Sequence, residues 1–103
     1  MRVYVAGPYS TGNLDHNLRT ALEAAEALLK RGYAPYVPHL NHLWQLAFPH
    51  SYETWLRLDM KFLHVCDAVW RLPGESPGAD REVRLAKLRR IPVCYSLTDF
   101  PPL

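Results

Sequence analysis

The strongest constraint on the fold is a regular alternation of short apolar runs with amphipathic helical patterns. Within each helical pattern, apolar residues recur at steps of three and four, with charged residues mostly between them. The apolar runs cover residues 2–6, 33–37, 67–72 and 91–95, and the helical patterns cover residues 13–31, 51–65 and 77–89. Right-handed crossovers assemble this order of elements into a parallel sheet covered on both faces. The alternation therefore predicts an α/β three-layer sandwich with four to five parallel strands.

Composition limits the chain to one domain and excludes several classes of protein. The chain has 103 residues, and 49% of them are apolar or aromatic. Residues 1–103 can therefore enclose one core. No uncharged stretch is long or apolar enough to span a membrane, and no secretory signal precedes the first strand. A net charge of +2 indicates no polyanion partner, and Cys66 and Cys94 have the apolar neighbours of buried thiols. We therefore expect a cytoplasmic protein that binds neither membranes nor nucleic acid.

The fold predicts where a ligand binds. In parallel sheets of this type, ligands lie beyond the carboxyl ends of the strands, where the strand order reverses. Three segments are expected to meet there, residues 7–12, 38–42 and 73–82. The first of them opens a helix, so its amides and the helix N-terminus can hold an anion. An ordinary turn between strand and helix explains its Gly and Pro equally well.

Histidines and aromatic residues between 39 and 50 suggest two further roles, each with a simpler explanation. His39 and His42, with His50 nearby, have a spacing that can bind a metal ion, but no cysteine accompanies them and Pro38 disfavours a regular helix. A polar pocket rim or a surface loop is the favoured explanation, so we expect no metal and no cofactor. Trp44 and Phe48 either stack on a flat ring or pack on protein. The basic run in 81–90 is interrupted by acids, which favours a solvated face.

Two acidic residues lean toward the sheet and are the best candidates for chemistry. Asp59 lies in line with Trp55 and Leu63 on an otherwise apolar helix surface. Glu82 lies near the start of the next helix, again on the side that meets the sheet. A single inward acid usually caps a helix or pairs with an arginine, but two acids at one sheet edge favour a site. Asp67 is expected to bond backbone amides, and a core Tyr4 needs a partner for its hydroxyl.

Nearly the whole chain resembles the nucleoside 2-deoxyribosyltransferase-like superfamily, which includes the deoxynucleoside 5′-monophosphate N-glycosidases. The resemblance is carried by Val3-Tyr4-Val5-Ala6-Gly7-Pro8, by Asp59 ahead of Cys66-Asp67-Ala68-Val69, and by Ser76-Pro77-Gly78-Ala79-Asp80-Arg81-Glu82. The segments Gly7-Pro8-Tyr9 and Pro38-His39-Leu40 are most similar to an uncharacterised small-domain branch. The resemblance implies a flavodoxin-like or Rossmann-like fold.

The resemblance also implies roles for individual residues. Glu82 resembles the nucleophilic glutamate, Asp59 the acid beside sugar and base, and Tyr4 the tyrosine that holds the nucleophile. Ser76 resembles the serine that binds the sugar 5′ oxygen or its phosphate. The other expected substrate-binding residues are Gly7, Pro8, Tyr9, Gly78 and His39. A carboxylate can attack the anomeric carbon as the base departs, forming a covalent sugar ester.

Departures from the pattern narrow the expected substrate. In the N-glycosidase branch, a segment similar to Gly-x-Ile-Arg-Gly-Gly follows the first strand. Residues 7–12 of this chain lack that arginine. A nucleoside 5′-monophosphate is therefore disfavoured. Arg81 and Arg84 replace the tyrosine and glycine that flank the glutamate in the family, which crowds or retunes the pocket.

The sequence therefore predicts an enzyme that cleaves or exchanges the N-glycosidic bond of a nucleoside, deoxynucleoside or related ribosyl compound. One alternative is a nucleotide-binding or sensing domain without turnover. Another is a metal-binding protein that uses His39, His42 and His50. The expected partner is a small-molecule nucleoside or nucleotide. The resemblance implies active sites shared across a homodimer or larger homo-oligomer, and three Trp with Phe48 in so small a domain agree with buried subunit contacts.

Overall fold

A computed structural model describes residues 1–103 as one four-stranded parallel sheet with helices on both faces. The strands are β1 (Arg2–Ala6), β2 (Ala34–Tyr36), β3 (Ala68–Arg71) and β4 (Val93–Cys94), in the order β2-β1-β3-β4. The helices are α1 (Leu14–Lys30), α2 (His42–Ala47), α3 (Tyr52–Leu63) and α4 (Pro77–Leu88), with short 3₁₀ turns at Pro38–Asn41 and Leu97–Asp99. The predicted α/β fold with a parallel sheet is confirmed.

Each long helix begins at a polar cap that the local sequence supplies. Asn13 accepts a hydrogen bond from the His16 amide at 2.9 Å, and Ser51 accepts one from the Thr54 amide at 3.3 Å. Ser76 accepts one from the Ala79 amide at 3.1 Å and is followed by Pro77, a residue suited to the first helical position. These caps fix where α1, α3 and α4 start, so the loops before them have defined lengths.

Strand lengths and the tail differ from the sequence prediction. The second and fourth strands are shorter than residues 33–37 and 91–95. Pro38 begins a 3₁₀ turn soon after β2, and Pro92, just before β4, carries no N–H for the ladder. Residues 39–50, predicted as a loop with a helical turn, contain part of the first 3₁₀ turn and α2. The tail is not irregular throughout, because a 3₁₀ turn places Phe100 in the core with only 3% of its surface exposed.

The alternation of side chains along β1 divides the interior into two layers. Val3 and Val5 face α1 and the tail, in a core that also contains Leu28 and Phe100. Tyr4 and Ala6 face α3 and α4, in a second core that also includes residues of both helices. Successive side chains of a strand point to opposite faces, so β1 contributes to both layers. The two acids, Asp59 and Glu82, belong to the helices that cover this second layer.

The cysteines and the helix lengths answer two further expectations. Cys66 is buried as predicted, whereas Cys94 is partly exposed because it lies on the edge strand β4; both thiols are unpaired. Burial raises the pKa of the Cys66 thiol to about 11.

None of the helices has the length and apolar character needed to cross a membrane. Asp67 bonds the backbone as expected, accepting from the Arg2 amide at 2.7 Å.

Candidate active site

A cavity of about 750 Å³ opens where the carboxyl ends of β1, β2 and β3 meet the loops that follow them. The three segments predicted to converge do so, although the third borders the cavity only from Ser76 onward. Helix α3 closes one side and the first turns of α4 another. The residues that line the cavity include Gly7, Tyr9, His39, Asn41, His42, Trp55, Asp59, Ser76, Gly78, Arg81, Glu82 and Arg84.

Glu82 lines the cavity, and a tyrosine from the central strand holds its carboxyl group. The hydroxyl of Tyr4 donates a hydrogen bond to Glu82 Oε2. Burial raises the pKa of Glu82 to about 7, although the Tyr4 hydrogen bond acts in the opposite direction. Burial also raises the pKa of Tyr4 well above its ordinary value, so the hydroxyl keeps its proton. Tyr4 has no exposed surface and lies behind Glu82, so it holds the acid without lining the cavity.

Asp59 is the second acid of the cavity and is 8% exposed. Its Oδ1 accepts hydrogen bonds from Tyr36 Oη at 3.0 Å and from Asn41 Nδ2 at 3.4 Å. Burial raises the pKa of Asp59 to about 6, and the hydrogen bond from Tyr36 partly offsets that increase. The inward orientation predicted for both acids is therefore what the structure shows.

The two acids and their tyrosines form one connected cluster. The rings of Tyr4 and Tyr36 stack with centroids 5.5 Å apart. The charge of Asp59 raises the pKa of Glu82, whereas the guanidinium of Arg71 lowers it. Ionisation of Asp59 therefore opposes ionisation of Glu82.

Gly7, Ser76 and Gly78 line the cavity as predicted for substrate-binding residues. A Cβ on Gly7 would lie 3.0 Å from the Cβ of Leu72, so glycine permits the close approach of this loop to the chain after β3. Ser76 is 5% exposed and uses Oγ as an acceptor for the helix cap. Its own O–H remains available to donate to a ligand. Substrate binding by these residues stays a prediction.

His39 and Tyr9 line the cavity, whereas Pro8 does not. His39 Nε2 lies 2.8 Å from the carbonyl oxygen of Pro8, and burial lowers the pKa of His39. The neutral ring therefore donates from Nε2, and Pro8 acts through its carbonyl by fixing His39. Tyr9 Oη is 2.5 Å from Nδ1 of His42, which ties the loop after β1 to the start of α2.

The histidines do not assemble a metal site. His39 and His42 are engaged by the loop after β1, and His50 lies edge-on against Trp55 with ring centroids 5.5 Å apart. No group of three or more His, Cys, Asp or Glu side chains is arranged to hold a metal ion. All three histidines line the cavity, which agrees with the favoured explanation of a polar pocket rim.

The sequence gives no signal for several residues in or next to the cavity. Tyr36 and Asn41 hold Asp59, and Trp55 donates from Nε1 to Gln45 Oε1 at 2.5 Å. The solvated face expected of the basic run is correct for the exposed residues Arg84, Lys87, Arg89 and Arg90. Arg84 also borders the cavity, as does the half-buried Arg81. Neither Trp44 nor Phe48 borders the cavity; Trp44 packs edge-on against Trp55 and Phe48 is 68% exposed.

Comparisons with known proteins place this geometry in context. The model of a family described as a domain of unknown function, DUF7768, matches residues 1–96. No curated protein matches the chain. A solved 2-deoxyribosyltransferase from Bacillus psychrosaccharolyticus is similar with a TM-score of 0.73 and 20% identity, over 90% of this chain and 69% of that one. A conserved protein from Enterococcus faecalis V583 has a TM-score of 0.74 and 20% identity, over 90% of this chain and 60% of that one. At this identity, the likeness establishes a shared fold.

Proposed function

The chain belongs to the DUF7768 family, a domain of unknown function, and we propose that it cleaves or exchanges the N-glycosidic bond of a nucleoside, deoxynucleoside or related ribosyl compound. The observation that carries the proposal is a pair of electrostatically coupled carboxyl groups, Glu82 and Asp59, in one cavity at the sheet edge. The fold shared with a 2-deoxyribosyltransferase supports the same chemistry.

Glu82 is the proposed nucleophile because one of its oxygens is held and the other is not. Tyr4 bonds Oε2, whereas Oε1 makes no hydrogen bond within the chain and is the oxygen left to attack C1′ of the sugar. As the Oε1–C1′ bond forms, the bond from C1′ to the base breaks and the base takes its electron pair. Asp59 supplies the proton that neutralises the departing base.

The second half of the reaction regenerates both acids. Water or a second base attacks C1′, the ester bond to Glu82 breaks, and Asp59 accepts the proton that the attacking group loses. Attack by water gives a hydrolase, and attack by a second base gives a transferase. Both outcomes use the same two carboxyl groups.

The first step needs Glu82 ionised and Asp59 protonated. With pKa values of about 7 for Glu82 and about 6 for Asp59, and with each charge opposing the other, the pair carries close to one proton between these values. In the empty cavity Glu82 holds that proton more tightly. The hydrogen bond from Tyr4 favours the productive arrangement, because it stabilises the Glu82 carboxylate. Activity is therefore expected to be bell-shaped in pH, with its maximum near neutrality.

The same proposal includes the substrate class, the assembly of the chain and its cellular compartment. The substrate is a small nucleoside-like molecule, and the chain forms a homodimer or larger homo-oligomer. The surface that supports subunit contact is an exposed apolar patch on α2 and the residue after it, comprising Leu43, Leu46 and Phe48. Two unpaired thiols support a reducing compartment such as the cytoplasm.

Release of free base tests the proposal. Wild-type protein is incubated with each common deoxynucleoside and ribonucleoside, with and without a second base, and the products are separated by chromatography. We expect base release or exchange that falls by about a thousand-fold or more in Glu82→Gln and by about a hundred-fold or more in Asp59→Asn. Glu23→Gln, which changes an exposed glutamate of α1, is the matched control and should keep full activity.

Two outcomes would replace the proposal. Undiminished base release in Glu82→Gln would remove Glu82 as nucleophile. A nucleoside- or nucleotide-dependent rise in melting temperature without any product would favour a binding or sensing domain.

A further inference from the structure

The geometry points to Tyr36 as a positioning residue that, with Asn41, keeps the acidic proton of Asp59 on Oδ2, the oxygen left free for the substrate. This inference rests on the proposed function, because a defined proton position matters only where Asp59 acts as an acid. It concerns a residue of β2 that contacts Asp59 without bordering the cavity itself.

The two oxygens of Asp59 have different surroundings. Oδ1 accepts from Tyr36 Oη at 3.0 Å and from Asn41 Nδ2 at 3.4 Å. Oδ2 makes no hydrogen bond within the chain, and it is not among the buried polar atoms that lack a partner. Oδ2 is therefore the accessible oxygen. A proton on Oδ1 would compete with two donors that already point at that atom, so the neutral acid is more stable with its proton on Oδ2.

Tyr36 is fixed in a way that suits a permanent donor. Its ring stacks on Phe62 with centroids 4.5 Å apart and planes 10° from parallel, and on its other neighbour Tyr4 at 5.5 Å. Burial and the charge of Asp59 raise the pKa of Tyr36 far above its ordinary value. The phenol therefore stays protonated, and its hydroxyl donates to Asp59 at every pH at which the enzyme would act.

The other charged and titratable groups around Asp59 act on it differently. The charge of Asp59 opposes ionisation of Glu82 of α4, and Tyr4 of β1 donates its hydroxyl hydrogen to Glu82. Arg71 of β3 lowers the pKa of Glu82 and pairs with Asp80 at 2.9 Å. The only hydrogen bonds to the Asp59 carboxyl group come from Tyr36 and Asn41, so these two residues decide how it is oriented.

A ring-preserving substitution separates positioning from packing. Tyr36→Phe keeps both stacking contacts and removes only the donor. The donor favours the ionised form of Asp59, so its loss should raise the pKa of Asp59 above about 6. Asp59 has the lower pKa of the two acids, so the low-pH limb of kcat/KM should move upward by about half a pH unit or more. Because the proton is no longer confined to Oδ2, kcat should fall about ten-fold while KM changes less than about two-fold.

Tyr33→Phe is the matched control. It removes the hydroxyl of a buried tyrosine on the opposite face of the sheet, where Tyr33 donates to the Pro101 carbonyl at 2.7 Å. We expect no change in its pH profile. Asn41→Ala removes the second donor from Oδ1 and should shift the profile in the same direction as Tyr36→Phe by a smaller amount, which keeps the inference testable if Tyr36→Phe folds poorly.

A measurement independent of turnover separates this inference from the proposed function. Carbon-13 NMR of the carboxyl groups follows the titration of Asp59 in wild-type protein, Tyr36→Phe and Tyr33→Phe, with Asp59→Asn used to assign the signal. An upward shift confined to Tyr36→Phe supports the inference even if no nucleoside is cleaved, which would count against the proposed function alone. An Asp59 titration that is identical in all three proteins would overturn the role of Tyr36.

Discussion

Tyr33 and Tyr4 are both almost wholly buried, yet they lie on opposite faces of the sheet and donate to different kinds of partner. Tyr33 faces α1, packs in the apolar core of eleven buried residues and bonds the uncharged carbonyl of Pro101. Tyr4 faces α3 and α4 and bonds the carboxyl group of Glu82. The first face therefore gains stability from apolar burial, whereas the second face also holds ionisable groups whose charged forms are disfavoured by burial.

The difference explains how so small a domain accommodates two desolvated acids. Each acid has a raised pKa because burial disfavours its charged form. Ionisation of these acids near neutral pH therefore lowers the free energy of unfolding. The apolar face must supply the compensating stability. Removing apolar bulk from the first face should therefore lower stability, whereas removing a buried charge from the second face should raise it.

The largest effect is expected from the apolar face. Leu28 of α1 has no exposed surface and packs against the sheet, so Leu28→Ala should lower the free energy of unfolding by about 3–4 kcal/mol. Urea unfolding at pH 7 measures the loss, and carboxyl NMR should show Glu82 titrating as in wild type. Leu29→Ala, at a neighbouring position that is 61% exposed, should change stability by less than about 0.5 kcal/mol. Equal losses in the two variants would refute the assignment of this face.

The acidic face should respond with the opposite sign. In the folded protein, the pKa of Glu82 is raised from 4.5 to about 7, so the folded state binds more protons between these values. The contribution of Glu82 to stability is complete below pH 4.5 and is lost as pH rises through about 7. Glu82→Gln removes the charge and keeps an acceptor for Tyr4, so its free energy of unfolding should exceed that of wild type by about 2 kcal/mol at pH 8 and by less than about 1 kcal/mol at pH 5.

Comparison of Glu82→Gln with wild type at each pH isolates the contribution of Glu82 to stability. His39 acts in the other direction, because its lowered pKa makes stability rise with pH up to about 6.5, and Asp59 adds to the trend of Glu82. Both contributions are present in the two proteins. Glu23→Gln, at an exposed position of α1, should show no such pH-dependent gain. A Glu82→Gln protein less stable than wild type at pH 8 would contradict the opposition between the faces.

Most of the fold follows from local pattern. The steps of three and four along α1, the caps at Asn13, Ser51 and Ser76, and the apolar run of β1 are all visible in the sequence and occur where the pattern places them. The short β4 and the buried Phe100 are not visible in this way. Their positions depend on contacts between distant parts of the chain, such as that of Phe100 with Trp70, which local periodicity does not report.

The candidate site was only partly predictable for the same reason. Glu82 and Asp59 are identified by a charge at an inward position of an apolar helix face, which is a local signal. Tyr36 and Asn41 give no such signal, since a tyrosine on a strand and an asparagine in a turn are ordinary. Asp59 meets Tyr36 across 23 positions of sequence. Only the resemblance to a known family linked Tyr4 to Glu82 before the structure did.

The smallest predicted effect compares the two tyrosines directly. Tyr33→Phe removes a hydrogen bond between uncharged groups, so it should lower the free energy of unfolding by about 1 kcal/mol at both pH 5 and pH 8. Tyr4→Phe removes a bond to Glu82 that is stronger when the carboxyl group is ionised, so its loss should exceed that of Tyr33→Phe at pH 8 and approach it at pH 5. Urea unfolding of both variants at the two pH values measures the difference. Parallel pH dependence in the two variants would mean that Glu82 is not the group to which Tyr4 donates.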